Sequence, residues 1–354
     1  MKKELKIVLI AASVLIVLAV FFLSFKPKVA ENKEQTPTEQ TNEFDPSILT
    51  WQQVEDIPFE KRDSHTVYVF NDNLFLTSGL DSDDSKLNSH TPVYEKAVYY
   101  NDIWVSVDGM NWNKIKDHAE FPLIRSTNII EFKGSLYLLG GWSPTEGYSI
   151  GIWKSNDGIN WKKVKSKPEF GAIEGHKVIE FQGKLLLIGG VNYATRKTSN
   201  SVWESEDGVN WTLLTSAPFH SRWDHDVISY DNKLFLMGGM DLGDKGFSDV
   251  WESEDGKNWN LILDDAPWGK RQGLGVVSFH DYIFLVGGLD AIKITGIGDS
   301  WYSKNGINWT KTKKDGKWLG REDHGVIVFK DKIFVLGGMD ENFNWHNDVW
   351  YSNF

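Results

Sequence analysis

Residues 222–259 read RWDHDVISYDNKLFLMGGMDLGDKGFSDVWESEDGKNW. An apolar run ending at Tyr230 meets Asp231-Asn232, a pair suited to a two-residue hairpin turn because both residues tolerate positive φ. A second run from Leu234 stops at Gly238-Gly239, a variable loop follows, and Asp249-Val250-Trp251 opens a third strand. Ser253-Glu254-Asp255-Gly256 then places Asp-Gly in another tight turn before Trp259 starts a fourth. The unit is a four-stranded meander with two short turns at one end and a long connection at the other.

The unit recurs along the chain. Its double glycines fall at Gly140-Gly141, Gly189-Gly190, Gly238-Gly239, Gly287-Gly288 and Gly337-Gly338, spaced by 49 or 50 residues, with Ser78-Gly79 as a degenerate first copy. The first tryptophan of each copy is Trp104, Trp153, Trp203, Trp251, Trp301 or Trp350, and the second is Trp112, Trp161, Trp211, Trp259 or Trp309. A second tryptophan after Trp350 is lacking, and Leu49–Val54, with Trp51 and an apolar residue three further on, matches the missing strand. Turn residues for the first hairpin are Asp72, Gly134, Gly183, Asn232, Asp281 and Asp331. Six such units predict an all-β, six-bladed β-propeller in which the N-terminal strand closes the last blade.

The double glycine and the period resemble the kelch repeat, and the resemblance covers nearly everything after residue 47. It implies the fold and leaves the function open, since kelch propellers serve as enzymes, adaptors and scaffolds. The recurring SxDGxNW segment is reminiscent of the sialidase Asp-box, but its glycine directly follows the aspartate. Turn chemistry explains every residue in it, so it reads as a hairpin staple.

Ahead of the propeller, Lys2, Lys3 and Lys6 precede an uninterrupted apolar run from Ile7 to Phe25. At about 1.5 Å per residue this run nearly matches a hydrocarbon core of about 30 Å. Residues 1–25 are expected to form an N-terminal membrane anchor with a transmembrane helix over 7–25. A cleavable signal peptide shares the basic start but is normally shorter and ends in small residues, whereas Lys28 stands here. The polar stretch 26–46 reads as a flexible linker, and residues 47–354 as the propeller, held extracytoplasmic at the cytoplasmic membrane, or secreted if the N-terminus is cleaved.

Composition removes several classes of function. A net charge of −11 with no basic stripe excludes broad nucleic-acid binding. The absence of cysteine removes disulfides, thiolate metal sites, a thiol nucleophile and a lipoprotein anchor, and with them the cross-linked cofactor of galactose oxidase. No cofactor or metal is expected, because no paired ligand spacing such as HExxH occurs.

Candidate site residues come from the links that precede each innermost strand. Arg62 with His65, Arg222 with His225, Arg321 with His324, and Arg271 without a histidine share an RxxH-like pattern; Arg125 stands one place out of register, and Glu174 with His176 replaces it in the third copy. These links converge on the channel, so up to five guanidiniums are expected around one mouth, suited to carboxylates or phosphates. The alternative is architectural: inter-blade hydrogen bonding, with Asp63, Asp224, Glu322 and Asp323 neutralising the arginines and the histidines packed. Trp142, Trp223 and Trp345 lie outside the two repeat positions, whereas Trp268 and Trp318 align with Phe59, Phe121, Phe170 and Phe219. Three functions follow: a binding module for a small anionic or carbohydrate-like ligand or a protein segment, the arginines resembling those with which kelch adaptors hold acidic peptides; a sugar mutarotase, resembling the sialic-acid mutarotases, with Glu174 or Glu322 as acid/base; or an envelope scaffold using the insertion in loop 80–100.

Overall fold

A computed structural model describes residues 44–354 apart from 83–95 and positions 149, 244, 291, 315, 317 and 319. The expected anchor (7–25) and most of the expected linker and loop insertion lie outside the described residues, among which no helix is long and apolar enough to cross a membrane. The compact unit starts at Phe44, whose ring packs on Phe279, His280 and Phe354, so the last three residues of the stretch expected as linker belong to the propeller.

Six antiparallel sheets form the blades. Their innermost strands are Thr66–Phe70, Asn128–Phe132, Lys177–Phe181, Trp223–Tyr230, Gly275–Phe279 and Gly325–Phe329, in blades 1 to 6. Each touches its two neighbours, so the contacts run around a closed ring. In blade 6 the strand Thr50–Val54 lies beside Trp345–Asn353, with Trp51 opposite Ser352. No α-helix occurs among the described residues.

Local chemistry accounts for the blade. Both turn residues of the first hairpin adopt positive φ at Asn71-Asp72, Lys133-Gly134, Gln182-Gly183, Asp231-Asn232 and Lys330-Asp331, which matches the twist of the flanking strands; in blade 5 His280 rather than Asp281 is left-handed. In the outer hairpin, Ser106 Oγ accepts the Gly109 amide at 2.8 Å, and Asp108 Oδ1 accepts the amides of Met110 and Asn111 at 2.8 Å. Burial is the largest single influence on the Asp108 carboxyl and raises it, but the donors from Asn111, Met110 and Ser106 together outweigh it and hold the carboxyl at about 2. Gly109 has φ +78°, and a Cβ there would lie 2.4 Å from Phe334 of the neighbouring blade. The SxDGxNW segment is therefore a hairpin staple whose glycine also lets two blades approach.

The second tryptophan of each copy meets an aromatic ring of the preceding link edge to face. Trp112 does so on Phe59 at 5.4 Å, Trp259 on Phe219 at 5.5 Å, and Trp51 on Trp318 at 6.0 Å. Trp268 and Trp318 are accordingly buried, as the alignment with phenylalanines implies.

The histidines pack against the double glycines of the adjoining blade. A Cβ at Gly140, Gly189 or Gly287 would stand 2.3, 2.5 or 2.6 Å from the ring of His176, His225 or His324. Burial lowers His65, His176 and His324 to about 3, so these rings are neutral at ordinary pH.

Candidate functional site: the channel mouth

Each link descends into its innermost strand through three consecutive positions with different duties. The first carries Arg62, Ile124, Ile173, Arg222, Arg271 and Arg321 in blades 1 to 6. All four arginines are fully buried. Arg222 makes a bidentate pair with Asp249 at 2.6 and 2.8 Å, donates to the Gly238 carbonyl at 2.9 Å, and lies over the Phe247 ring at 4.1 Å. Arg62 pairs in the same way with Asp102 at 2.7 and 3.0 Å and stacks on Tyr100. Arg321 pairs with Asp348, and Arg271 with Asp299 at 2.8 Å. The first tryptophan completes the unit: Trp104, Trp251, Trp301 and Trp350 donate Nε1–H to the same aspartates at 2.7–2.9 Å.

This geometry corrects the expectation of a ring of guanidiniums around the mouth. Arg62, Arg222, Arg271 and Arg321 point into their own blades, and the carboxylates that neutralise them are Asp102, Asp249, Asp299 and Asp348 rather than Asp63, Asp224, Glu322 and Asp323. The two blades that lack the arginine also lack the aspartate, carrying Ile124 with Gly151 and Ile173 with Ser201. A buried charge without its partner costs several kcal/mol, so the pair is present or absent as a unit.

The second position carries Asp63, Arg125, Glu174, Trp223, Gln272 and Glu322, each bridged to the residue that follows a double glycine. Arg125 thus belongs to this inner ring, which is the structural content of its displaced register. Its Nε donates to Glu174 Oε2 at 3.2 Å, and its guanidinium lies 5.1 Å from the Trp142 ring. Tyr148 donates its hydroxyl to Glu174 Oε1 at 2.7 Å and accepts the Tyr193 amide at 3.1 Å, while Tyr193 meets Trp223 edge to face at 5.4 Å. Gln272 Nε2 donates to Glu322 Oε2 at 2.6 Å.

The third position carries Ser64, Ser126, Gly175, Asp224, Gly273 and Asp323, all left-handed with φ of 49–59°. Their amides and carbonyls bond from blade to blade at 2.8–3.0 Å, through Ser126 to Ser64, Ser64 to Asp323, Asp323 to Gly273, Gly273 to Asp224 and Asp224 to Gly175. Backbone strain at Ser64, Ser126, Asp224 and Asp323 is offset by a collar of hydrogen bonds around the channel. Beneath the collar lies a cavity of about 240 Å³, where Lys177 Nζ pairs with Asp226 at 2.8 Å.

The mouth therefore gathers five carboxyls, Asp63, Glu174, Asp224, Glu322 and Asp323, around Arg125. Burial, and then the charge of Asp323, pushes Asp63, Asp224 and Glu322 well above the ordinary carboxylate range. Burial also raises Asp323, against the Ser64 hydroxyl, which donates to it at 3.0 Å, and the charge of Arg125. Of the candidate aromatics, Trp142 and Trp223 are part-exposed at this mouth, whereas Trp345 is 1% exposed and packs with Leu80, Tyr99 and Met339. Tyr148, Tyr193 and Gln272 escaped sequence reading, because the signal that marks them, the equivalence of ring positions, needs the blade-to-blade register. Among the described residues no group of three or more histidine or acidic side chains is placed to hold a metal ion.

No protein-family model matches the chain, and no curated protein matches it significantly.

Two outcomes follow from this geometry. Arg222→Ala leaves Asp249 buried and unpaired and is expected to cost about 3–5 kcal/mol in urea unfolding, whereas Arg222→Ile with Asp249→Ser, the composition of blade 3, recovers most of that loss. Glu322→Gln tests the raised carboxyl. A folded-state pKa above the unfolded value contributes stability at low pH that is lost as pH rises through the folded value. The variant should therefore be more stable than wild type in urea unfolding at pH 8, with the difference closing by pH 4. Each tenfold gain in the proton affinity of Glu322 on folding adds about 1.4 kcal/mol to that difference.

Proposed function

We propose that this chain is a membrane-tethered, extracytoplasmic propeller of the kelch type whose channel mouth binds a neutral, carbohydrate-like ligand. The observation that carries the reading is the pairing of part-exposed aromatic faces with a hydrogen-bond acceptor on one side of the mouth: Trp142, Tyr148, Tyr193 and Trp223 beside Asp224, with the buried Glu174 holding Tyr148 and Arg125 in place. Sugars present apolar ring faces to aromatic planes and hydroxyl donors to carboxylates. An anionic ligand would find the one guanidinium of the inner ring, Arg125, already paired with Glu174 and outnumbered by carboxyls, which weighs against it. The rigid blades and the long loops between them supply the scaffold on which such sites are commonly placed. The tether rests on the basic start and the apolar run 7–25.

A second reading, a mutarotase-type enzyme, is favoured by one arrangement. Glu174 stands between Arg125 and the Tyr148 hydroxyl, an acceptor carboxylate beside a cation and a proton donor.

Calorimetric titration of the full chain with neutral, amino and acidic mono- and disaccharides tests the binding reading. The expected result is affinity for a neutral saccharide that falls tenfold or more in Trp223→Ala and Glu174→Gln. No binding by any saccharide, or unchanged affinity in both variants, would remove it. Anomer exchange followed by NMR on the same samples separates the two readings: a rate equal to buffer leaves a binding module alone.

A further inference from the structure

On the opposite side of the ring from Glu174, a separate pocket of about 190 Å³ opens between blades 4, 5 and 6. Its walls are the three residues that follow double glycines there, Met240, Leu289 and Met339, with Ile294 and Phe343 at the rim. Ile294 is 55% exposed. The unbranched methionines adapt to the shape of what enters.

The floor is polar. Gln272 is 8% exposed and Glu322 is 7% exposed, and the amide Nε2 of the first is spent on Oε2 of the second. Gln272 Oε1 is buried and has no hydrogen-bond partner. A buried acceptor left without a donor costs about 1–3 kcal/mol, which a donating ligand would recover. Asp340 and Glu341 also line the pocket, and none of its lining residues is basic. Asp340 is already engaged by Asn344 and His346, and Glu341 accepts the Gly296 amide; the buried acceptor without a donor is on the floor.

We propose that this pocket binds a small primary ammonium with a branched aliphatic body, the ammonium donating to Gln272 Oε1 and the Glu322 carboxylate while the body lies against Met240, Leu289 and Met339. Three donors on an ammonium suit two acceptors plus one bond to solvent, and its positive charge favours the ionised form of Glu322 that burial opposes. At about 30 Å³ for each water-sized group, the volume holds about six heavy atoms, the size of 3-methylbutylamine. The inference is independent of the saccharide reading, since the residues invoked for that ligand are on blades 2 to 4 and this pocket's floor is on blades 5 and 6.

The test uses the full chain in detergent, with detergent alone as blank, and saturation-transfer NMR titrations of three probes that share an isobutyl body: 3-methylbutylamine and 3-methylbutanol, which have the same number of heavy atoms, and 3-methylbutanoate, which has one more. The amine is expected to bind with a dissociation constant on the order of 1 mM, and the alcohol and the acid at least tenfold more weakly. Gln272→Leu and Glu322→Gln should each weaken the amine fivefold or more, and Glu322→Gln should leave the alcohol unchanged, with near-ultraviolet circular dichroism reporting an intact fold. Equal binding of amine and alcohol, or amine affinity unaltered in both variants, overturns the proposal. Saccharide titrations on the same variants distinguish its failure from that of the mouth reading.

Discussion

The buried guanidinium–carboxylate pair within the blade decides how charge is distributed over the whole molecule. Arg62, Arg222, Arg271 and Arg321 each occupy a site walled by an aromatic ring and a backbone carbonyl, where an aspartate carboxylate, gripped bidentately by Arg62, Arg222 and Arg321, offsets desolvation. Because the aspartates of the first-tryptophan motif supply that carboxylate, these four guanidiniums do not reach the acids in the links, of which Glu174 pairs with Arg125. Those acids collect at the mouth instead, where burial and then mutual repulsion raise the proton affinity of Asp63, Asp224 and Glu322. The acidic character of the site is thus a consequence of how the blades are stapled.

The repeat was legible in the sequence because its signals are local. Asp-Gly and Asn-containing turns, double glycines and regularly spaced tryptophans each report a backbone requirement that nearby residues reveal. The hairpin staple, the packed histidines and the structural nature of Trp268 and Trp318 could be read in the same way. The direction of the arginines could not, since Arg222 and Asp249 are separated by a whole hairpin and their pairing is a tertiary fact. A covariation inside the chain held the clue: Ile124 with Gly151 and Ile173 with Ser201 lose both charges together. Trp345 misled for a related reason. A large aromatic in a loop looks available until the neighbouring loop of blade 1 covers it.

The three consecutive link positions explain why one register shift changes a residue's role. At the first, a side chain enters the blade; at the second, it faces the inner ring; at the third, the backbone turns left-handed and bonds to the next blade. Arg125 sits in the second position and so is the guanidinium of the inner ring, where it steadies Glu174. Diversity is concentrated at that second position, which holds acid, base, aromatic and amide side chains, while the flanking positions repeat. A scaffold that fixes its neighbours and varies one ring of residues has the form expected of a recognition surface.

Arginine-selective labelling with phenylglyoxal, read by mass spectrometry on the native chain, tests this division of charge most directly. The account predicts that Arg62, Arg222, Arg271 and Arg321 stay unmodified under conditions that label the exposed Arg196, with Arg125 reacting at an intermediate rate. Labelling of the four at the rate of Arg196 would place their guanidiniums in solvent and contradict it.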